Sequence, residues 1–344
     1  MRLRLIRIDL PLRHVFTHFR REVSTVRSLI VELEQDGLRG HGEANEDLFY
    51  GATIEQIYTQ LDRLREKLEY YALADPLAFW RFLQPQLEGK AFAQCAIDCA
   101  AHDLWGKMKN KPIWKIWGLS REHLPVSSYS IGIDSLVRIG DRFVDKPDWA
   151  AYRIKLGSRQ DLDTLKFLRE KTDADFYVDV NGGWTLEKAV AMLKPMQELG
   201  VKLLEQPLNA QDFAGMVKLK KEMKRQHIDI PVFADESWKT ESDIEKCAEV
   251  FDGINIKLLK CGGLTPVRKL IEKVRALGLK VSAANTVESP VGAAATAQIA
   301  SLVDYIGLDG PLQIDKKVGH SIRLDKGQIR YPDEGGTGVR ASFR

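Results

Sequence analysis

Apolar and charged residues alternate at the start of the chain, MRLRLIRIDLPLR, and a period of two predicts a half-buried strand. The same signal returns at 28–34 and, beyond the turn region at 37–40, at 41–44. The first 45 residues therefore predict a small antiparallel sheet. From 53 to 110 the period lengthens: Ile54, Ile57, Leu61, Leu64 and Leu68 recur near helical spacing, and a second apolar helix runs through 91–108. Together these segments predict an α+β domain over 1–124.

After Pro125 the pattern changes again and then repeats. Short β-rich runs at 126–130, 151–156, 176–179, 202–205, 232–235, 253–257, 280–284 and 305–308 alternate with amphipathic helices. One such helix carries Val267, Leu270, Ile271, Val274 and Leu277, a spacing that buries one face. Strand–helix alternation demands parallel strands with crossover helices, and eight such strands close most simply into a barrel, here over 125–312. Seven helices follow the first seven strands, and no eighth helical pattern follows Leu308. Extended runs at 321–324 and 328–331 lead into a Gly-rich polar tail, so 313–344 is expected to return to the first domain. The predicted class is α/β: a (β/α)7β barrel with an α+β capping domain formed by the N-terminal segment and the C-terminal tail.

Composition serves mainly to exclude. A chain of 344 residues fits two domains, or one large α/β unit with an appendage. Lys plus Arg number 51 against 48 Asp plus Glu, and 51 − 48 = +3 is too weak for a nucleic-acid footprint. The first 13 residues lack the apolar core of a signal peptide, and no stretch of 18 apolar residues occurs, so no membrane segment is expected. Four cysteines cannot form a disulfide framework, which fits a reduced, cytoplasmic setting.

In such a barrel the active site is assembled from the C-terminal ends of the strands. The polar residues expected there are Lys155, Asp179 with Asn181, Glu205, Asp235, Lys257, Asn285 with Glu288, and Asp309. Any one acid at a strand end serves as often as a helix N-cap or a solvated charge. The ordered set Lys, Asp, Glu, Asp, Lys, each after a β-rich run, is what chance seldom produces. Asp179, Glu205 and Asp235, from three consecutive strands, would crowd together unless something positive lay between them, and hard oxygen ligands suit Mg²⁺. Lys155 and Lys257 flank the acids. A lysine acts as a base only with a lowered pKa, which Mg²⁺ and Arg153, on the same strand face as Lys155, are expected to bring about.

Other candidates are weaker. All seven histidines miss the predicted barrel strand ends. Cys95 and Cys99 share a helix face, yet no further ligand accompanies them, and buried thiols are the better reading. Cys261 is expected to pack rather than react. The Gly pairs at 182–183 and 262–263 lack a phosphate-loop pattern.

These residues resemble the enolase superfamily, specifically its muconate-lactonizing-enzyme-like subgroup, over nearly the whole chain. The motifs are Arg153-Ile-Lys155 in place of a Lys-x-Lys, Asp179-Val-Asn181, Glu205-Gln-Pro, Asp235-Glu-Ser, Asn255-Ile-Lys257 and Lys260-Cys-Gly-Gly. The stretch AIDCAAHDLWGKMKNKPIWKIWGL resembles the end of the family's capping domain. Within the subgroup the resemblance is greatest to dipeptide epimerases, whose last strand typically ends in Asp-x-Asp-Gly-Pro. Here that segment is Gly307-Leu-Asp309-Gly-Pro, with glycine in place of the first acid.

The resemblance implies Mg²⁺ held by Asp179, Glu205 and Asp235, with Lys155 and Lys257 moving a proton between the two faces of a dipeptide α-carbon through a metal-stabilised enolate. Arg153, Asn181 and Asn285 are implied as supporting residues, and Asp309 as the partner of the substrate ammonium. Arg21, in the cap segment 16–26, matches by position an arginine that contacts an acidic side chain in Ala-Glu epimerases, and reads equally as part of a solvated basic loop. The alternative reading is o-succinylbenzoate synthase, a dehydratase on the same scaffold. The implied partner is a small carboxylate, with a homo-oligomer allowed and neither nucleic acid nor membrane expected.

Overall fold

The computed structural model describes residues 1–19, 21–316 and 318–342, and it opens on a long hairpin. Strand β1 (Arg2–His18) pairs antiparallel with β2 (Arg21–Gln35), which pairs in turn with β3 (Leu38–Asn45). The expected sheet is present, but its first two strands run further than the alternation indicates. The segment 16–26 is no loop: Phe16 faces Val23 and Thr17 faces Glu22 near the far end of the hairpin, past a register shift between Pro11 and Phe16. Val23, Thr25 and Val26 favour extended backbone, so pairing continues to the tip.

Helices α1 (Ile54–Asp62), α2 (Arg65–Glu69), α3 (Pro76–Leu87), α4 (Ala91–Met108) and α5 (Ile113–Ile116) complete the cap. The long α4 lies against β3 almost backbone to backbone. A Cβ on Gly42 would sit 2.0 Å from the Ala96 carbonyl oxygen, so only glycine allows this approach. Small residues at Ala93, Ala96 and Ala100, all fully buried, make the matching face of the helix.

Eight parallel strands follow: β4 (Tyr129–Ile131), β5 (Ala151–Lys155), β6 (Asp175–Asp179), β7 (Val201–Glu205), β8 (Val232–Ala234), β9 (Gly253–Ile256), β10 (Lys280–Ala284) and β11 (Tyr305–Gly307). They neighbour one another in chain order, and a parallel bridge between Ser127 and Ile306 joins the last to the first. All eight β-rich runs of the sequence are thus strands of one sheet. Between them lie α6 (Leu136–Val144), α7 (Asp161–Arg169), α8 (Leu186–Glu198), α9 (Phe213–Arg225), α10 (Asp243–Ala248), the short α11 (Leu258–Cys261) with α12 (Leu264–Ala276), and α13 (Pro290–Ala297). After β11 only one turn of helix forms, α14 (Gly310–Gln313).

Alternation along each strand sorts the core. Tyr152, Ile154, Val178 and Leu204 belong to the main apolar core with the helices, whereas Ala151, Tyr177, Leu203 and Phe233 form a separate cluster, with Tyr305 packed against it. The Tyr305 ring meets those of Tyr177 and Phe233 edge to face at 5.3 and 5.4 Å. This plug closes one end of the barrel. Two residues further along each strand, on the same face, come Arg153, Asp179, Glu205 and Asp235. The C-terminal segment packs on the cap: Asp103 Oδ1 on α4 accepts from the Thr337 N–H at 2.8 Å and from its hydroxyl at 3.0 Å. Among the described residues no helix is long and apolar enough to cross a membrane.

Candidate active site

A cavity of about 120 Å³ lies between the open end of the barrel and the cap. Arg21, Arg153, Lys155, Asn181, Lys257, Asn285 and Asp309 all line it. Asp179, Glu205 and Asp235 are fully buried, with relative exposures of 0, 1 and 0%, and do not line the cavity. The structure therefore brings together residues spread over 289 positions, from Arg21 to Asp309.

Strand register sets the first contacts, pairing Lys155 with Asp179 and Asp179 with Glu205 on adjacent strands. Arg153 bridges two acids: its Nη2 donates to Asp179 Oδ2 at 2.7 Å and also to Glu205 Oε1. Lys155 Nζ donates to Asp179 Oδ2 at 2.5 Å and to Asn181 Oδ1 at 3.1 Å. Across the site Lys257 Nζ donates to Asp235 Oδ2 at 2.5 Å. The two lysines thus stand on different carboxylates, on different strands, facing one cavity.

Charge pairing decides the titration of these groups. Burial pushes the Asp179 carboxyl up, but Lys155 and Arg153 outweigh it and hold it below the usual range. The same holds at Asp235, where Lys257 and Lys260 win over burial. Glu205 goes the other way: burial prevails over Arg153, Asp179 and Asp235 add repulsion, and its pKa is raised. At Lys257 the nearby acids prevail over burial. Burial works against its ammonium form, but attraction from Asp235, with Tyr50, Glu236 and Glu205 adding, raises the pKa.

The three acids supply hard oxygen donors of the kind Mg²⁺ takes. Asp179 Oδ2 and Glu205 Oε1 meet at a single nitrogen of Arg153, which brings two of them to a common point, while Asp235 Oδ2 is drawn toward Lys257. With the cations standing among them, no group of three His, Cys, Asp or Glu side chains among the described residues is set to hold a metal ion. The donor chemistry fits the ion, and Lys155 and Lys257 bond oxygens of two of the three acids.

One residue of the site, His18, carried no signal in the sequence, and others gain their roles from contacts that only the structure shows. His18, the last residue of β1, lines the cavity from the hairpin tip, although no histidine falls at a predicted barrel strand end. Gln206 Oε1 accepts the N–H groups of Asp235 and Ser237, each at 3.1 Å, and so shapes the turn that presents Asp235. Lys260, with its ring contact to Trp238 at 3.8 Å, donates to the Asp235 carbonyl at 2.7 Å and to its Oδ1 at 3.2 Å. Asp309 is held by the Ser130 N–H at 2.7 Å, the Ser130 hydroxyl at 3.2 Å and Gln313 Nε2 at 3.0 Å. Asn285 Nδ2 bonds Glu288 and, at 3.1 Å, Thr296, on the loop that Asn45 of the cap grips through the Val287 carbonyl at 2.7 Å. All four cysteines are free, and burial pushes the Cys261 thiol up to about 12.

Comparison with known proteins gives matches over both parts of the chain. Residues 6–118 match the mandelate racemase / muconate lactonizing enzyme N-terminal domain, and residues 136–343 match the enolase C-terminal domain-like family. The chain is 38% identical over 340 residues to an L-Ala-D/L-amino acid epimerase of Maribacter sp., covering 98% of this chain and 99% of that one. A substrate-liganded L-Ala-D/L-Glu epimerase from Bacillus subtilis superposes with a TM-score of 0.90 at 26% identity, over 100% of this chain and 99% of the other. A dipeptide epimerase from Cytophaga hutchinsonii, complexed with Mg and D-Ala-L-Val, shares the fold at a TM-score of 0.89 and 21% identity, over 99% and 95% of the two chains.

Proposed function

Because the chain belongs to the enolase superfamily, we propose that it is a Mg²⁺-dependent epimerase that inverts the α-carbon beside the free carboxylate of an L-Ala-X dipeptide by proton transfer between two lysines. The observation that carries this reading is the placement of Lys155 and Lys257 on separate carboxylates, both facing one cavity. Inversion needs a base on one face of the carbon and an acid on the other, and two lysines on opposite walls supply both.

Asp179, Glu205 and Asp235 would hold the metal. When bound, Mg²⁺ would neutralise the negative charge that develops on the substrate carboxylate as the α-proton leaves. Arg153 bridges Asp179 and Glu205 through one nitrogen and favours the ionised form of each, prevailing with Lys155 over burial at Asp179. One lysine Nζ takes the proton from the α-carbon, and the other Nζ returns one to the opposite face. Asp309, oriented by Ser130 and Gln313, faces the same cavity and is placed to accept from the substrate ammonium. Arg21 and His18 close the cap side, where a side chain of the substrate would lie.

The test is incubation of a dipeptide library with enzyme and Mg²⁺ in D₂O, read by mass for α-deuterium and by chiral separation for inversion. Deuterium incorporation with inversion is expected for L-Ala-X members. Turnover of the succinylbenzoate precursor without exchange in any dipeptide would transfer the site to the dehydratase reading.

A further inference from the structure

Beside the reaction cavity lies a second groove of about 830 Å³. The two meet at Asn181, which lines both and accepts from the Lys155 amine at 3.1 Å. Two cap rings stand exposed along this groove, Phe19 at 49% and Phe49 at 40%. Phe19 also leans over the barrel, where a Cβ on Gly183 would come within 2.6 Å of its ring. Exposed rings along a groove offer faces and edges against which a flat ligand group can pack.

The groove wall carries two lysines, Lys239 and Lys246, on aromatic rings. Lys239 Nζ stands 5.2 Å from the centre of the Phe49 ring and Lys246 Nζ 4.1 Å from that of Phe213. Neither ammonium is ion-paired among the described residues. Of the acids nearby, Glu236 Oε1 accepts from Asn181 Nδ2 at 3.0 Å, and Asp243 Oδ2 accepts the N–H groups of Lys239 and Thr240 at 2.9 and 2.8 Å, close enough for the Lys239 charge also to favour its ionised form. Aromatic faces suit a flat amide, and unpaired ammoniums suit a carboxylate.

Under the proposed function, three of the four substituents on the reacting carbon have places. The hydrogen faces a lysine, the carboxylate faces the acid end and the acylated nitrogen points toward Asp309. The side chain is left to face the cap, next to the groove. We propose that this groove is a second substrate site, and that it takes the far end of a side chain extended through an amide bond to a further residue with a free carboxylate. The inference rests on the epimerase reading and deepens it: the preferred substrate is an acidic dipeptide whose side-chain carboxyl is linked to another amino acid.

The experiment compares two substrates with the full-length enzyme and Mg²⁺ by α-deuterium exchange: L-Ala-L-Glu, and the same dipeptide with its side-chain carboxyl amide-linked to L-alanine. The expected ratio of kcat/KM, extended over plain, is about ten for the wild type and falls to about one in the double variant Lys239→Met, Lys246→Met. Exchange on the plain dipeptide reports in each sample that the protein is folded and active. A wild-type ratio below one, or a ratio unmoved by the double variant, overturns the groove assignment alone. Absence of exchange on both substrates with the wild type overturns the epimerase reading beneath it.

Discussion

Glu43, on cap strand β3, caps a barrel helix through Ser289: its carboxylate accepts the Ser289 N–H at 3.1 Å and the Ser289 hydroxyl at 2.5 Å. The same carboxylate takes the Gly292 N–H at 3.0 Å and the Ser28 hydroxyl at 2.7 Å. The N-terminus of α13 is therefore satisfied by a residue 246 positions earlier in the chain. The cap is fastened to the loop that carries Asn285 and Glu288, and cap closure and site geometry share one buried contact.

Glu43→Ala leaves those four donors without their buried acceptor. Urea unfolding should show a loss of about 2–4 kcal/mol. An unchanged midpoint and slope would mean that water or a shifted side chain replaces the carboxylate at no cost.

Lys257→Ala should abolish inversion of both stereoisomers, by about a thousandfold or more, while α-deuterium exchange persists from the isomer that presents its proton to Lys155. Chiral separation and mass measurement on the same sample check both halves. Full inversion by the variant would remove Lys257 from the reaction.

Metal removal should stop turnover without unfolding the protein, since Arg153, Lys155, Lys257 and Lys260 already neutralise the buried acids. Adding Mg²⁺ at a hundred times its Kd should then raise the unfolding free energy by about 2.7 kcal/mol. Asp179→Asn, Glu205→Gln and Asp235→Asn should each lose most of that increment in a thermal melt. A full increment in any of the three would take that residue out of the metal site.

Asp98 and His102, four residues apart on α4, both meet Thr265: its hydroxyl lies 2.6 Å from Asp98 Oδ1 and 3.3 Å from His102 Nε2. Burial raises the Asp98 carboxyl to about 7 and lowers the His102 imidazole to about 3. An acid with a raised pKa holds its proton longer when folded, so its contribution is lost as pH rises from about 4 to 7. A histidine with a lowered pKa binds its proton sooner when unfolded, so its contribution is lost as pH falls from about 6.5 toward 3. The two slopes oppose each other. Asp98→Asn should leave only the second, and stability should climb with pH between 4 and 6.5 more steeply than in the wild type. Urea titrations at pH 4, 5 and 6.5 decide it, and an equal or shallower slope contradicts the assignment.

The sequence by itself determined the barrel and the ordered charges of its site. Period-two runs, each ending in a polar residue before a helix, are local signals: a strand such as β5 turns Arg153 and Lys155 inward and Tyr152 and Ile154 outward whatever lies beyond it. Local alternation also foretold the cap sheet, though not how far its hairpin reaches. Tertiary structure alone decided the rest. His18 joins the site because backbone pairing carries the hairpin past Pro11, and Glu43 finds Ser289 because β3 turns one face to α4 and the other to the start of α13. It likewise decided how Lys257 titrates, because its pKa depends on how near Asp235 comes and how much water is shut out. Contacts between residues hundreds of positions apart leave no periodicity to read, since only the packed chain brings their atoms within hydrogen-bonding range.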